Sequence, residues 1–128
     1  MKYYFSRIVT LSFEDAIEKV MAELKKEGFG VLTDIDVKQT LKKKLNVDFK
    51  KYRILGACNP PYAFKALQAE DKIGTMLPCN FIVQEIEGGR VEVAAIDPIV
   101  SMQAVANPAL KDVAEEVRAK LKKVIENI

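Results

Sequence analysis

The 128-residue chain reads as a single α+β domain, residues 1–128, with the element order β-α-β-α-β-α-β-β-α. Three observations predict it. Short β-prone apolar runs alternate with stretches whose apolar residues recur at helical spacing. A Gly88-Gly89 pair between two such runs marks a hairpin. Asn-Pro pairs and glycine stops separate the remaining elements, and no linker, repeat or low-complexity stretch interrupts them.

The first strand lies within Lys2 to Val9, where Tyr3, Tyr4, Phe5, Ile8 and Val9 supply β-prone side chains. Ser12, three residues before Asp15, then opens a helix as a variant of the capping box. Phe13, Ala16, Ile17, Val20, Met21 and Leu24 form its apolar stripe, and Gly28 is its C-terminal stop. The opposite, acidic side of that helix is a solvated face. Phe29 to Val37, with Val31, Leu32 and Ile35, suits a second strand. Val37, Leu41 and Leu45 follow at four-residue spacing, which predicts a short helix with a basic exposed side.

Tyr52 to Cys58 reads as a buried strand running into a third helix, with Asn59 as N-cap and Pro60 in the first helical position. That helix continues through Tyr62, Ala63, Phe64, Ala66 and Leu67 and ends near Asp71 to Gly74. Met76 to Glu87 and Arg90 to Asp97 make the hairpin. A two-residue turn at Gly88-Gly89 sets Ile86 opposite Val91, Glu85 opposite Glu92 and Phe81 opposite Ile96. Apolar residues then fall on both faces near Asp97, so that end is expected to be covered twice, by helices and by a partner subunit. Asn107-Pro108 opens the last helix, whose stripe runs from Leu110 and Val113 through Val117 and Leu121 to Ile128.

Composition excludes several classes. Half of the chain, 49%, is hydrophobic, and 20 basic residues nearly balance 18 acidic ones for a net charge of +2. A chain of this size removes roughly 65% of its unfolded surface from water, so it needs neither disulfides nor a metal to fold. Without histidine there is no Ser-His or Cys-His nucleophile and no imidazole metal ligand. Two cysteines cannot supply a four-thiolate cluster, and no metal site is assigned. No apolar run approaches the ~20 residues that cross a bilayer, and Met1 to Phe5 leads into Ser6-Arg7 without a signal-peptide core. The expectation is a cytoplasmic protein with no membrane partner.

Three constellations could carry chemistry. The first is the pair Cys58-Asn59-Pro60 and Pro78-Cys79-Asn80. A thiol where a strand meets a helix start sits near unpaired N–H groups and the positive end of the helix dipole, a placement that activates Cys58. Against this, free cysteine is among the most buried residue types, so either thiol can be plain core. The second is the helix start itself, an anion site weakened because Pro60 and Pro61 remove two N–H donors; Gly56 beside it is read as a close-packing residue. The third is the carboxylates. Glu85 and Glu92 face one another near the turn, while Asp97, at the end of the hairpin that holds Cys79, can either cap a turn or reach Asn80. Between Lys38 and Arg53, seven basic residues stand against the single acid Asp48, a patch best read as a solvated helix face. Without interleaved aromatics among Lys38 to Lys44, nucleic acid ranks last among partners.

The segments Ile54-Leu55-Gly56-Ala57-Cys58-Asn59-Pro60, Gly74-Thr75-Met76-Leu77-Pro78-Cys79-Asn80 and Asp97-Pro98, followed by Asn107-Pro108-Ala109-Leu110, form a specific combination. Over nearly its whole length the chain resembles the family known as "domain of unknown function 302". The resemblance implies a two-layer fold with a mixed β-sheet and a homodimer. It implies no reaction and carries no catalytic residue over. Cys58, Asn59, Pro60, Leu77, Pro78, Cys79, Asn80, Asp97 and Pro98 fall on the family's motif positions.

The functional expectation is a small dimeric ligand-binding or accessory module. Its pocket would be formed by Cys58, Asn59, Cys79, Asn80 and Asp97, with a small molecule and a second copy of the chain as partners. The alternative is a thiol-based enzyme or sulfur carrier with Cys58, Cys79 and Asp97 as catalytic candidates. No cofactor is specified by the residues, and a soft metal would need thiolates from two chains.

Overall fold

Period-2 alternation in five short segments and helical periodicity between them produce a sheet with helices packed on it, in a computed structural model that describes residues 2–128. The strands are β1 (Tyr4–Val9), β2 (Gly30–Asp36), β3 (Tyr52–Cys58), β4 (Cys79–Glu85) and β5 (Val91–Ile96). The helices are α1 (Phe13–Lys26), α2 (Val37–Leu45), α3 (Pro60–Ala69), α4 (Pro98–Ser101) and α5 (Lys111–Glu126), with 3-10 turns at Asp71–Met76, Glu87–Gly89 and Pro108–Leu110. The expected order of main elements holds. The short α4 and the 3-10 turns are additions that three- to six-residue segments without helical periodicity did not announce.

The sheet runs β1-β5-β4-β3-β2, and every neighbouring pair is antiparallel. This corrects the mixed sheet. Helices α2 and α3 each bring the chain back to the end of the sheet it had just left, so their flanking strands pair antiparallel. Only α1 carries the chain from one end to the other, and it joins strands at opposite edges that never meet.

One face of the sheet is the core. Leu55, Ala57, Phe81, Val83, Val91, Val93 and Ala95 point toward α1 and α5 and are buried against Val20 and Leu24 of α1 and Leu121 and Val124 of α5. Ser12 caps α1 as expected, its hydroxyl accepting from the Asp15 N–H at 3.1 Å. A satellite cluster of Ala66, Ile73 and Leu110 ties α3 to the turns that follow it. The alternate residues Tyr52, Ile54, Ile82, Gln84, Glu92 and Ile96 form the other face and are only half buried. The α2 helix buries no residue, and its lysines are exposed.

The hairpin register differs from the expected one. Phe81 pairs with Ala95, Ile82 with Ala94, Val83 with Val93, Gln84 with Glu92 and Glu85 with Val91. The loop has three residues, Glu87-Gly88-Gly89, closed by the Ile86 N–H donating to the Arg90 carbonyl at 2.8 Å, with φ of 76° and 73° at the two glycines. A one-residue slip exchanges the faces of a strand. The observed register gathers Phe81, Val83, Val91, Val93 and Ala95 on one buried face, whereas the two-residue turn would have split them. The Glu85–Glu92 opposition therefore does not exist; the Gln84 amide donates to Glu92 instead, at 2.8 Å.

Candidate functional site: a cleft at the junction of the two Cys-Asn segments

At the end of β3 the chain turns into α3, and the residues of that junction are held by three close approaches. Asn59 occupies the N-cap position with extended backbone, yet its side chain caps nothing. It is buried, and its Nδ2 donates to the Glu27 carbonyl at 3.1 Å, tying the start of α3 to the end of α1. The expected capping hydrogen bond is thus replaced by a tertiary one. Gly28, at φ 85°, lies against the same amide, where a Cβ would come within 3.3 Å of Asn59 Nδ2.

The second approach joins the two Cys-Asn segments. Gly56 pairs with Asn80 and Ala57 with Cys79 across β3 and β4. A Cβ on Gly56 would overlap the Thr33 hydroxyl and lie 2.6 Å from Pro78 Cγ. The close-packing reading of Gly56 holds: Pro78 sits on the space left by the missing side chain. The third approach is that of the cysteines. Cys58 follows Ala57, the partner of Cys79, so the two cysteines stand at the same end of adjacent strands, near enough for Cys58 to act on the Cys79 thiol.

Beside them opens a cleft of about 240 Å³. Ala57, Cys58, Asn59 and Cys79 line it from the sheet, and Tyr62, Ala63 and Ala66 from α3. Val113, Ala114 and Val117 of α5 close one side, Pro98 and Met102 another, and Phe29 and Leu32 contribute from the start of β2. The walls are almost wholly apolar, and Cys58, Asn59, Cys79 and Tyr62 are the lining residues whose side chains carry a polar group. Burial, with a smaller contribution from the neighbouring Cys58, pushes the Cys79 thiol up to about 11. Cys79 is therefore a neutral thiol near pH 7, where a nucleophile would need thiolate. Cys58 is more exposed than Cys79. Burial and then the Glu116 carboxylate raise the Tyr62 hydroxyl above its ordinary value.

The expected five-residue polar cluster divides. Cys58, Asn59 and Cys79 come together in the cleft, but Asn80 points to the other face of the sheet and is exposed. Alternation along β4 forces this, since Cys79 and Asn80 are consecutive. Asp97 is buried and fully engaged: Oδ1 accepts from the Ile99 N–H at 3.0 Å as N-cap of α4, and Oδ2 accepts from Arg118 Nε at 3.1 Å. Its capping alternative is the one realised. Tyr62 and Met102 are cleft residues that the reading of the sequence left out. The available signal lay in α3, where the small Ala63 and Ala66 line the cleft while Phe64 and Leu67 are exposed.

The chain matches the family described as "Domain of unknown function DUF302" over residues 5–128. It belongs to that family. The crystal structure of an uncharacterized conserved DUF302 protein from Bacillus stearothermophilus superposes with a TM-score of 0.91 at 29% identity, covering 99% of this chain and 98% of that one. No functionally curated protein matches. The family assignment therefore extends over both Cys-Asn segments and all of the sheet but Tyr4 in this DUF302 chain, and it brings no reaction with it. No helix among the described residues is long and apolar enough to cross a membrane.

Proposed function

We propose that this DUF302 protein is a ligand-binding module whose cleft takes a small, largely apolar molecule with one polar group. The cleft carries this reading: about 240 Å³ of apolar-walled space meets Asn59, Cys58 and Cys79 at one end. The volume lies just below the roughly 300 Å³ where drug-sized pockets begin, and above the ~150 Å³ cavity that holds benzene. A single-ring or fused two-ring ligand suits it. The polar groups at the sheet end would orient such a molecule, as a few convergent donors do in other concave sites.

The alternative, thiol exchange between Cys58 and Cys79, is less well supported, because a thiol held up at about 11 is a poor resolving nucleophile. A second copy of the chain remains part of the proposal. The exposed Leu32 at the cleft rim and Phe64 and Leu67 on the outer side of α3 offer apolar surface to it. Sedimentation velocity returning only a monomer would remove that part.

The test of the cleft is titration with naphthol, followed by its own fluorescence and by the melting temperature. Saturable binding that is abolished by Ala63→Leu, which fills the cleft, supports the reading. At 100 times Kd the ligand should add about 2.7 kcal/mol of stability. Unchanged binding in the filled variant, or none in the parent, rejects it.

A further inference from the structure

The face of the sheet turned away from α1 and α5 holds a second, independent depression of about 400 Å³. Its polar end is one row across three strands: Tyr52 pairs with Gln84, and Gln84 with Glu92. The Gln84 amide donates to Glu92 Oε1 at 2.8 Å, and among the described residues no lysine or arginine forms an ion pair with that carboxylate. The other end is walled by Tyr3 and Tyr4, whose rings meet edge to face at 5.0 Å. Ile82 and Ile96 lie along the groove between them. Tyr4 stands four residues from Ile8, the partner of Glu92, so the backbone positions at the two ends are about 13 Å apart at the usual strand rise.

We propose that this groove binds an elongated organic ammonium, its charged head between Glu92 and Tyr52 and its apolar body lying toward Tyr3 and Tyr4. A half-buried carboxylate whose hydrogen-bond partner is a neutral amide lacks a counter-charge, and an electron-rich ring beside it adds attraction for a cation. The chain's own Lys2 ammonium stands 5.8 Å from the Tyr4 ring centre, at the tyrosine end of the groove, and forms no ion pair with Glu92. Burial, followed by Tyr3 and Glu92, raises the Tyr52 hydroxyl above its ordinary value, so the Tyr3 side chain reaches from its end of the groove toward the Glu92 end. An anionic ligand would meet Glu92 unfavourably, and a purely apolar one would leave the carboxylate without its complement.

The experiment is an NMR titration of the intact chain with phenylbutylammonium, and in parallel with phenylbutanol as its neutral isostere. Saturable shifts of the Tyr3, Tyr4 and Tyr52 ring protons are expected, with the alcohol bound at least about fivefold more weakly, the factor for one Coulomb contact in water. Glu92→Gln keeps a hydrogen-bonding partner for Gln84 and should erase the preference for the ammonium while leaving the spectrum folded. Tyr52→Leu should weaken the ammonium as well. Equal affinity for alcohol and ammonium, an unchanged preference in Glu92→Gln, or no saturable shift would each overturn the proposal. So would sedimentation, together with shielding of the tyrosine rings from a soluble paramagnetic probe, showing that a second copy covers this face and the ammonium does not compete with it.

Discussion

Replacing Gly56 by alanine tests the interlock between the two Cys-Asn segments. Gly56 is buried in an interior strand of the sheet, and its backbone lies outside the left-handed region, so alanine meets only a steric obstacle. The new methyl would overlap the Thr33 hydroxyl and stand 2.6 Å from Pro78 Cγ. The threonine can relieve its part by changing rotamer, whereas the proline ring moves only with the backbone leading into β4. Overpacking of this kind costs about 1–3 kcal/mol, offset by up to ~1 kcal/mol from the reduced entropy of the unfolded chain. A net loss of about 1–2 kcal/mol should appear as a lower urea midpoint at unchanged slope. Thr33→Ala combined with Gly56→Ala should recover about 0.5–1 kcal/mol relative to additivity, leaving the share due to Pro78. If Gly56→Ala is as stable as the parent, Pro78 does not depend on the missing side chain and the interlock is wrong.

Three further outcomes are expected. Because burial raises the Cys79 thiol from about 9 to about 11, the folded chain holds that proton more tightly than the unfolded one; the resulting stability is intact below pH 9 and is lost by about 2–3 kcal/mol as pH rises through 11. Urea titrations in that window should show a flatter pH slope for Cys79→Ala, and iodoacetamide at pH 8 should label Cys58 well before Cys79; the reverse order of labelling would refute the burial argument. Asp97→Ala removes the cap on Ile99 and the partner of Arg118 and should cost about 2 kcal/mol, with Asp97→Asn costing less because its oxygen still caps; equal losses in thermal melts would contradict the capping role. Gly89→Ala forces a side chain to φ 73° and should cost about 1–2 kcal/mol, whereas Gly30→Ala, which meets nothing within 4 Å, should be near neutral; a neutral Gly89→Ala would call the three-residue hairpin loop into question.

Much of the fold is written locally. Ser12, the Phe13-to-Leu24 stripe and Gly28 delimit α1 by signals that are each read from neighbouring turns of chain, and Tyr52 to Cys58 followed by Asn59-Pro60 marks the β3–α3 junction to the residue. Such signals survive without tertiary help because caps, glycine stops and apolar periodicity act over three to eight positions. The hairpin shows where local rules compete. A Gly-Gly pair favours a two-residue turn, yet the burial of Phe81, Val83, Val91, Val93 and Ala95 on one face outweighs it and inserts Glu87 into the loop.

The candidate site divides along the same line. The amino-acid sequence alone determined that Cys58 and Asn59 lie at a strand–helix joint, that Gly56 is a packing residue, and that Asn107 begins a helical turn, since each follows from its immediate neighbours. Only the tertiary structure decided which of them meet. The all-antiparallel order of the strands sets Ala57 against Cys79, alternation sends Asn80 to the opposite face, and the approach of α5 binds Asp97 to Arg118. The cleft itself is made by α3 and α5 closing over the ends of β3 and β4, segments up to about sixty residues apart in the chain. No rule of local spacing contains that distance, because the space between packed elements depends on where every element is placed at once.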